Sequence, residues 1–508
     1  MERIYKKNYM NGEGMEFKIN NVNTFVIHLV LITIVYGILL KIHFSVDSYA
    51  IIYDNQGMQY LMQGRFVTYY INLIFNKLSI NTTLDQQIFS AYLIICISIA
   101  SFAMSSIISK NMKNFSLIKW ILVNISVMLS FVNVFLLEWF LYPEITFFLG
   151  TGLVSTIIAI YIITKGERSV NIIGSFVFLA IAMGIYQANL GIFIIYTLTI
   201  SLIKNEMRLN KNSVKQSFLI LSIGLFNSIL NILLLKLAIA SGIAVEGDRA
   251  PKLNFEVIKN NAIGILGAQK SIWLNAYNFL PRYSVVIFGT ILFIMIGYLV
   301  NKNKNSLKNI TYAMFIIIIN YLIIFAPHLF TSSLWLAQRT IVGFFMFLSS
   351  MIILITFNCP NSNKMIKILI TISSVFLIIN CIQVHNIAVN HIASNKLDQE
   401  YALMINEEIE KYEKKNNINV KYISAENDIK PTYNYKSIEY TIYDTNIRAF
   451  VTPWANVNMI NYFSHRNYIK VQMDPTIHES YFKNKNWDSF SKEDQLVFVG
   501  DTLYLILY

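Results

Sequence analysis

About eleven apolar runs, each near the length a helix needs to cross a bilayer, divide this chain and leave little room for any soluble fold. They occupy residues 22–40, 88–109, 117–137, 145–164, 170–183, 187–203, 216–240, 285–300, 310–326, 340–357 and 366–384. The stretch 170–203 is too long for one helix and is basic at both flanks, at Lys165 and Lys204, so it divides at Tyr186-Gln187. Of the 508 residues, 55% are hydrophobic and only 14% are charged, which places the chain among polytopic α-helical membrane proteins.

Charge sets the expected orientation. The N-terminus, with Lys6, Lys7 and Lys18, and the short connections at 110–113, 165–168, 204–215, 302–308 and 364–367 carry Lys or Arg, as cytoplasmic loops do. The alternate connections face outward: the loop around Asp47, the turn 138–144, Tyr186-Gln187, the long loop 241–283, the turn 327–339 and everything after His385. The first run is too long for a signal-peptide core and has no small-residue cleavage site after it, so it is expected to remain as an anchor. The protein is thus expected to be multi-pass in the cell membrane, with a cytoplasmic N-terminus.

The formal net charge of +12 is explained by these loops rather than by a polyanion, so no nucleic-acid partner is expected. Cys96, Cys359 and Cys381 lie in or beside apolar runs without metal-ligand spacing, and no phosphate cradle, nucleophile elbow or paired-histidine motif occurs. No metal and no cofactor are expected. The chain divides into a multi-span part, 1–385, and a tail, 386–508, where helical spacing over 398–415 and strand-like stretches at 495–499 and 503–508 predict a small extracytoplasmic α/β domain.

The charged residues on the outward side are the candidates for chemistry. Asp47 and Asp54 are seven apart, so a helical loop would place them on one face. A carboxylate near hydrocarbon gains proton affinity and suits a general base, although both also read as ordinary loop acids. Arg65, Arg249, Lys252, Arg282 and Arg339 run against the positive-inside tendency. They either grip a phosphate through the guanidinium fork or pair with Glu138, Glu144 or Asp248. Glu138 and Glu144 lie in a short turn with Trp139, Phe140 and Tyr142, where aromatics commonly mark a membrane interface. Tyr186 and Gln187 either line a cavity for sugar hydroxyls or make a helix–helix contact. His328, Trp335 and Gln338 precede Arg339 and complete the set, and the aromatic segment 66–78 is suited to lie along lipid headgroups.

These residues bring a family into view. The Asp47-Ser48-Tyr49 segment followed by Gly64-Arg65, the run Phe135-Leu136-Leu137-Glu138-Trp139 with Tyr142-Pro143-Glu144, and Gly184-Ile185-Tyr186-Gln187-Ala188 resemble the membrane glucosyltransferases of the GtrII type over roughly the first two thirds of the chain. These belong to the wider GT-C-like polytopic glycosyltransferases that use polyprenyl phosphate sugars. The resemblance implies an outward site where Asp47 activates an acceptor hydroxyl while a lipid-linked sugar phosphate departs, without a metal. Family members often carry a second acid beside that aspartate; here position 48 is Ser, leaving Asp54 or Glu138 for the part.

The expected function is transfer of a hexose, glucose by the resemblance, from polyprenyl phosphate to an envelope polysaccharide, teichoic acid or lipid-linked glycan. A companion donor synthase and a flippase would supply the donor. The alternatives are a polysaccharide polymerase or ligase and a non-enzymatic flippase or transporter of lipid-linked sugar. Transport fits less well, because the runs are nearly free of charge apart from Lys236 and no internal repeat is evident.

Overall fold

The computed structural model describes residues 21–53, 57–112, 116–247, 249–252, 254–302, 306–358, 364–427, 447–485, 487 and 490–507. Asp54, Asp248, Cys359 and the basic N-terminal residues lie outside them. In chain order the first helices are α1 (Asn21–Tyr36), α2 (Ser48–Tyr53), α3 (Gly57–Met62), α4 (Phe66–Lys77), α5 (Gln86–Lys110), α6 (Leu117–Phe131), α7 (Val134–Leu141) and α8 (Thr146–Thr164). There follow α9 (Ser169–Ile185), α10 (Asn189–Lys204), α11 (Lys211–Ala240), α12 (Phe255–Asn275), α13 (Ser284–Lys302), α14 (Leu307–Leu322), α15 (Ala326–Leu329), α16 (Gly343–Asn358) and α17 (Lys364–Asn416).

Every apolar run of the sequence is helical, yet the helices are of two kinds. Among the described residues six are long and apolar enough to cross a membrane, the first running on from α1 to Leu40, and a seventh is formed if the bent pair α6–α7 counts as one span. Helices α9, α10, α14 and α16 are apolar but shorter. The faces these helices turn outward are apolar, as at Phe218, Leu225, Phe226 and Leu237 of α11, so the described chain is that of a membrane protein.

The run 117–137, read from sequence as one span followed by an outward turn at the membrane interface, is corrected by the structure. Asn133 breaks it: its side chain accepts the backbone N–H groups of Phe135 and Leu136, capping a new helix, α7, bent by 46° from α6. Tyr36 locks the break, its hydroxyl donating to the Phe131 carbonyl and its ring stacked 4.5 Å from Phe140. Glu138, Trp139 and Phe140 are consequently buried within the bundle, not set at an interface. The connection 241–283 likewise holds a 21-residue helix, α12, whose Asn261 amide donates to the carbonyls of His328, Leu329 and Thr331.

Lysines gather at one end of the bundle. Lys204 donates to the Thr164 carbonyl, Lys119 to that of Phe357 and Lys302 to that of Glu206, while Lys215 pairs with Glu167 at 2.7 Å. The acidic first loop leaves the other end.

Helix α17 has 53 residues, roughly 80 Å at 1.5 Å per residue, and runs through position 385 without a break. Beyond it, β1 (Tyr422–Asn427), β2 (Ile469–Lys470), β3 (Leu496–Val499) and β4 (Thr502–Leu507) form a sheet of order β2-β1-β4-β3. The β1–β2 and β1–β4 pairs are parallel, and β3–β4 is a hairpin that turns at Gly500 with φ +61°. The core under this sheet also takes in Phe44 and Tyr49 of the first loop, against Tyr462 and Phe463. Tail and first loop are therefore one packed unit.

A buried ion pair holds that unit. Asp398 of α17 accepts from the Arg448 guanidinium and from the backbone N–H groups of Ala449 and Phe450. Removing one partner of such a pair costs about 3–5 kcal/mol, because it leaves the other charge buried and unmatched. Asp398→Asn is expected to open the tail to limited proteolysis at a lower temperature in the detergent-solubilised chain. An unchanged digestion midpoint would show that the pair stabilises nothing.

Candidate active site

The acidic half of the site is built by serines and a buried carboxylate. Chain direction is set first: the Asn395 side chain accepts the Phe44 N–H at 2.6 Å and donates to its carbonyl at 3.1 Å, holding the backbone like a neighbouring strand. Ser45 Oγ then accepts the N–H groups of Asp47 and Ser48, and the Asp47 carbonyl receives the first hydrogen bond of α2. The hydroxyls of Ser45 and Ser48 donate to the two oxygens of Glu144, at 2.8 and 2.9 Å. Glu144 is buried and accepts both hydroxyls, so it clamps the loop. Asp47 is only partly buried, interacts electrostatically with Glu144, and accepts the Trp454 indole N–H at 3.2 Å.

The basic half rests on a helix end. At the close of α3 the Gly64 N–H reaches the Leu61 carbonyl and the Arg65 N–H the Tyr60 carbonyl, the paired bonds of a Schellman cap, with Gly64 at φ +71°. A Cβ at Gly64 would also lie 2.9 Å from Asn231 Oδ1, so glycine is required on both counts. Asn231 and Gln187 pin the turn by donating to the carbonyls of Gly64 and Gln63, each at 2.8 Å. Arg65 is thereby aimed at Tyr186, its guanidinium 4.9 Å from the ring centre. Its Nε is sealed from solvent and has no hydrogen-bond partner among the described residues, and the same holds for the Tyr186 hydroxyl.

Arg339 is held differently. Both its backbone N–H and its guanidinium donate to the Glu138 carboxylate, and the Trp139 indole donates to its carbonyl. Its guanidinium lies 4.0 Å from the Tyr142 ring centre and 4.5 Å from that of Trp335, which Arg249 also approaches at 3.9 Å. Burial depresses the Arg65 pKa; Tyr186 opposes that, and the like charges of Arg339 and Arg249 add to it, so three cations share one aromatic nest. Tyr60 joins the halves, since it senses Glu144, Asp47 and Arg65 together.

Of the residues singled out from sequence, Asp47, Arg65, Glu138, Glu144, Tyr186, Gln187 and Arg339 are brought to this end of the bundle. Gln187 serves the Gly64 turn. His328 is buried in hydrogen-bond contact with the Thr340 backbone, and burial pushes its imidazole down to about 4, so it is neutral near pH 7. Arg282 is exposed in the turn before α13, and among the described residues no hydrogen bond or ion pair joins it to the cluster. Asp54 falls outside the described residues. Sequence reasoning missed Tyr60, Asn231, the clamping serines and Trp454.

A family model described as Glucosyl transferase GtrII matches residues 36–356. The chain belongs to that family. It is a glycosyltransferase, and glycosyl transfer requires a sugar donor and an acceptor to meet in one site. The match takes in both halves of the cluster and ends before α17, so Trp454 lies beyond it. Neither the comparison with curated proteins nor that with solved structures returns a match.

Proposed function

We propose that this GtrII glycosyltransferase moves glucose from a polyprenyl phosphate to an envelope glycan, teichoic acid or lipid-linked glycan on the outer face of the cell membrane. The observation that carries the reading is that a partly exposed carboxylate, Asp47, and a guanidinium, Arg65, both lie within electrostatic reach of Tyr60. Asp47 removes the proton of an acceptor hydroxyl as its oxygen attacks the anomeric carbon. The bond from that carbon to the phosphate oxygen breaks, and the prenyl phosphate leaves with its charge facing Arg65. One displacement gives inversion. Glu144 positions Asp47, and Glu138 positions Arg339 at the edge of the same nest.

Helix α4, which starts directly after Arg65, exposes Tyr70, Leu73 and Ile74, which suits it to lie in the headgroup layer and guide the prenyl chain. We count the four shorter helices as spans too, which restores about eleven crossings. The lysine end of the bundle is then cytoplasmic, and the loop–tail unit, with residues 386–508, is extracytoplasmic. Companion enzymes that make and flip the donor follow from this placement.

Orientation is the direct test. In a cysteine-free background, a thiol introduced at the exposed tail position Asn467 is expected to react with an impermeant reagent on intact cells. One at the exposed Lys165 is expected to react only after permeabilisation. The reverse pattern would place the cluster on the cytoplasmic side and end the proposal.

A further inference from the structure

The contact between Trp454 and Asp47 crosses from the tail to the proposed base, and it has a pocket behind it. We infer that the tail segment around Trp454 forms the acceptor subsite, holding one sugar ring of a glycan so that its hydroxyl meets Asp47. This rests on the reading of Asp47 as base and adds the residues that bind the acceptor.

Trp454 donates its indole N–H to Asp47 Oδ1, yet 55% of its surface remains exposed. The exposed part of its indole ring is open to a ligand. Beside it, Pro453, Trp454, Val457, Asn458 and Lys470 bound a cavity of about 350 Å³, within the roughly 300–1,000 Å³ typical of small-ligand clefts and ample for one hexose. The negative face of an indole suits the C–H face of a pyranose. The Asn458 amide and the Lys470 ammonium supply polar groups at the rim for its hydroxyls.

The pocket is braced. Lys470 donates to the Pro453 carbonyl and lies 3.4 Å from Asn456 Oδ1, and the shared core with Phe44 and Tyr49 fixes the tail against the first loop. Behind this wall the buried Asn456 Nδ2 has no hydrogen-bond partner among the described residues. The donor's phosphate is assigned to Arg65 and its prenyl chain to α4. The tail meets Asp47 through Trp454, and the adjoining lining of an aromatic, an amide and a cation matches a hydroxylated ring rather than a lipid chain.

The test uses the full-length protein in lipid vesicles, a short-chain prenyl phosphate glucose as donor, and polymer extracted from envelopes of cells lacking this chain as acceptor. Trp454→Ala is expected to raise the acceptor concentration for half-maximal transfer at least tenfold while the donor's moves less than twofold. Trp454→Phe, which keeps a ring but loses the N–H, is expected to recover to within about threefold, and Asn458→Ala to weaken the acceptor alone. An acceptor requirement unchanged in Trp454→Ala, or a Phe variant as impaired as the Ala variant, overturns the inference. Should the unaltered protein leave this donor intact, the donor reading fails instead, which the first measurement distinguishes.

Discussion

Asp47→Asn is expected to lower glucosyl transfer by about 100- to 10,000-fold, the range that a positioned general base contributes. The substitution is nearly isosteric. Its Oδ1 still accepts the Trp454 N–H, and the main-chain bonds around residue 47, to Ser45 Oγ and from Ile51, do not involve the altered group. The loop, the tail and their shared core are therefore expected to survive, and only the proton acceptor is lost. Initial rates in vesicles with saturating donor, beside thermal unfolding of the same preparations, separate the two effects. Transfer within threefold of the unaltered protein at equal stability would remove Asp47 from the chemistry.

The sequence made much of this arrangement legible because membrane folding is governed by a strong signal, the length of apolar runs. All of those runs are helical, and the strands at Leu496–Val499 and Thr502–Leu507 fall where alternation and turn residues suggest. What run length cannot register is a helix whose apolarity is interrupted. Helix α12 carries Glu256, Lys259, Gln269 and Lys270, so it reads as loop. The break at Asn133 is the opposite case: a single polar residue inside an apolar run ends one helix and starts another through its side-chain cap.

The site was legible in its charges, and pairing of an arginine with Glu138 was among the readings, but which arginine meets which acid was not legible. Glu138 and Glu144 share a short segment, yet one meets an arginine 201 positions away and the other meets serines 96 and 99 positions earlier. Partners so distant are set by the packing of helices, which one sequence does not encode in any local pattern. Trp454 lies 407 positions from Asp47, at the far end of the chain. The cap at Gly64-Arg65 had a local signal, since glycine followed by a change of direction is how helices commonly end.

That difference in pairing separates two arginines that the sequence places in one group. Arg339 is matched by a buried carboxylate, so Glu138→Gln is expected to destabilise the bundle by about 3–5 kcal/mol, the penalty for stranding a buried charge. Arg65 instead faces an aromatic ring with its Nε unpartnered among the described residues, so Arg65→Ala leaves no carboxylate stranded there. Its expected cost falls on transfer, at about 100- to 1,000-fold, as for the loss of one donor to a developing oxyanion. Arg65→Lys is expected to recover only part of that rate, because an ammonium keeps the charge and loses the planar fork that two phosphate oxygens can share. Melting temperature and transfer rate measured on all three variants decide the matter. If Arg65→Ala melts early and Arg65→Lys transfers at the full rate, Arg65 is a packing residue and the leaving phosphate must be held elsewhere.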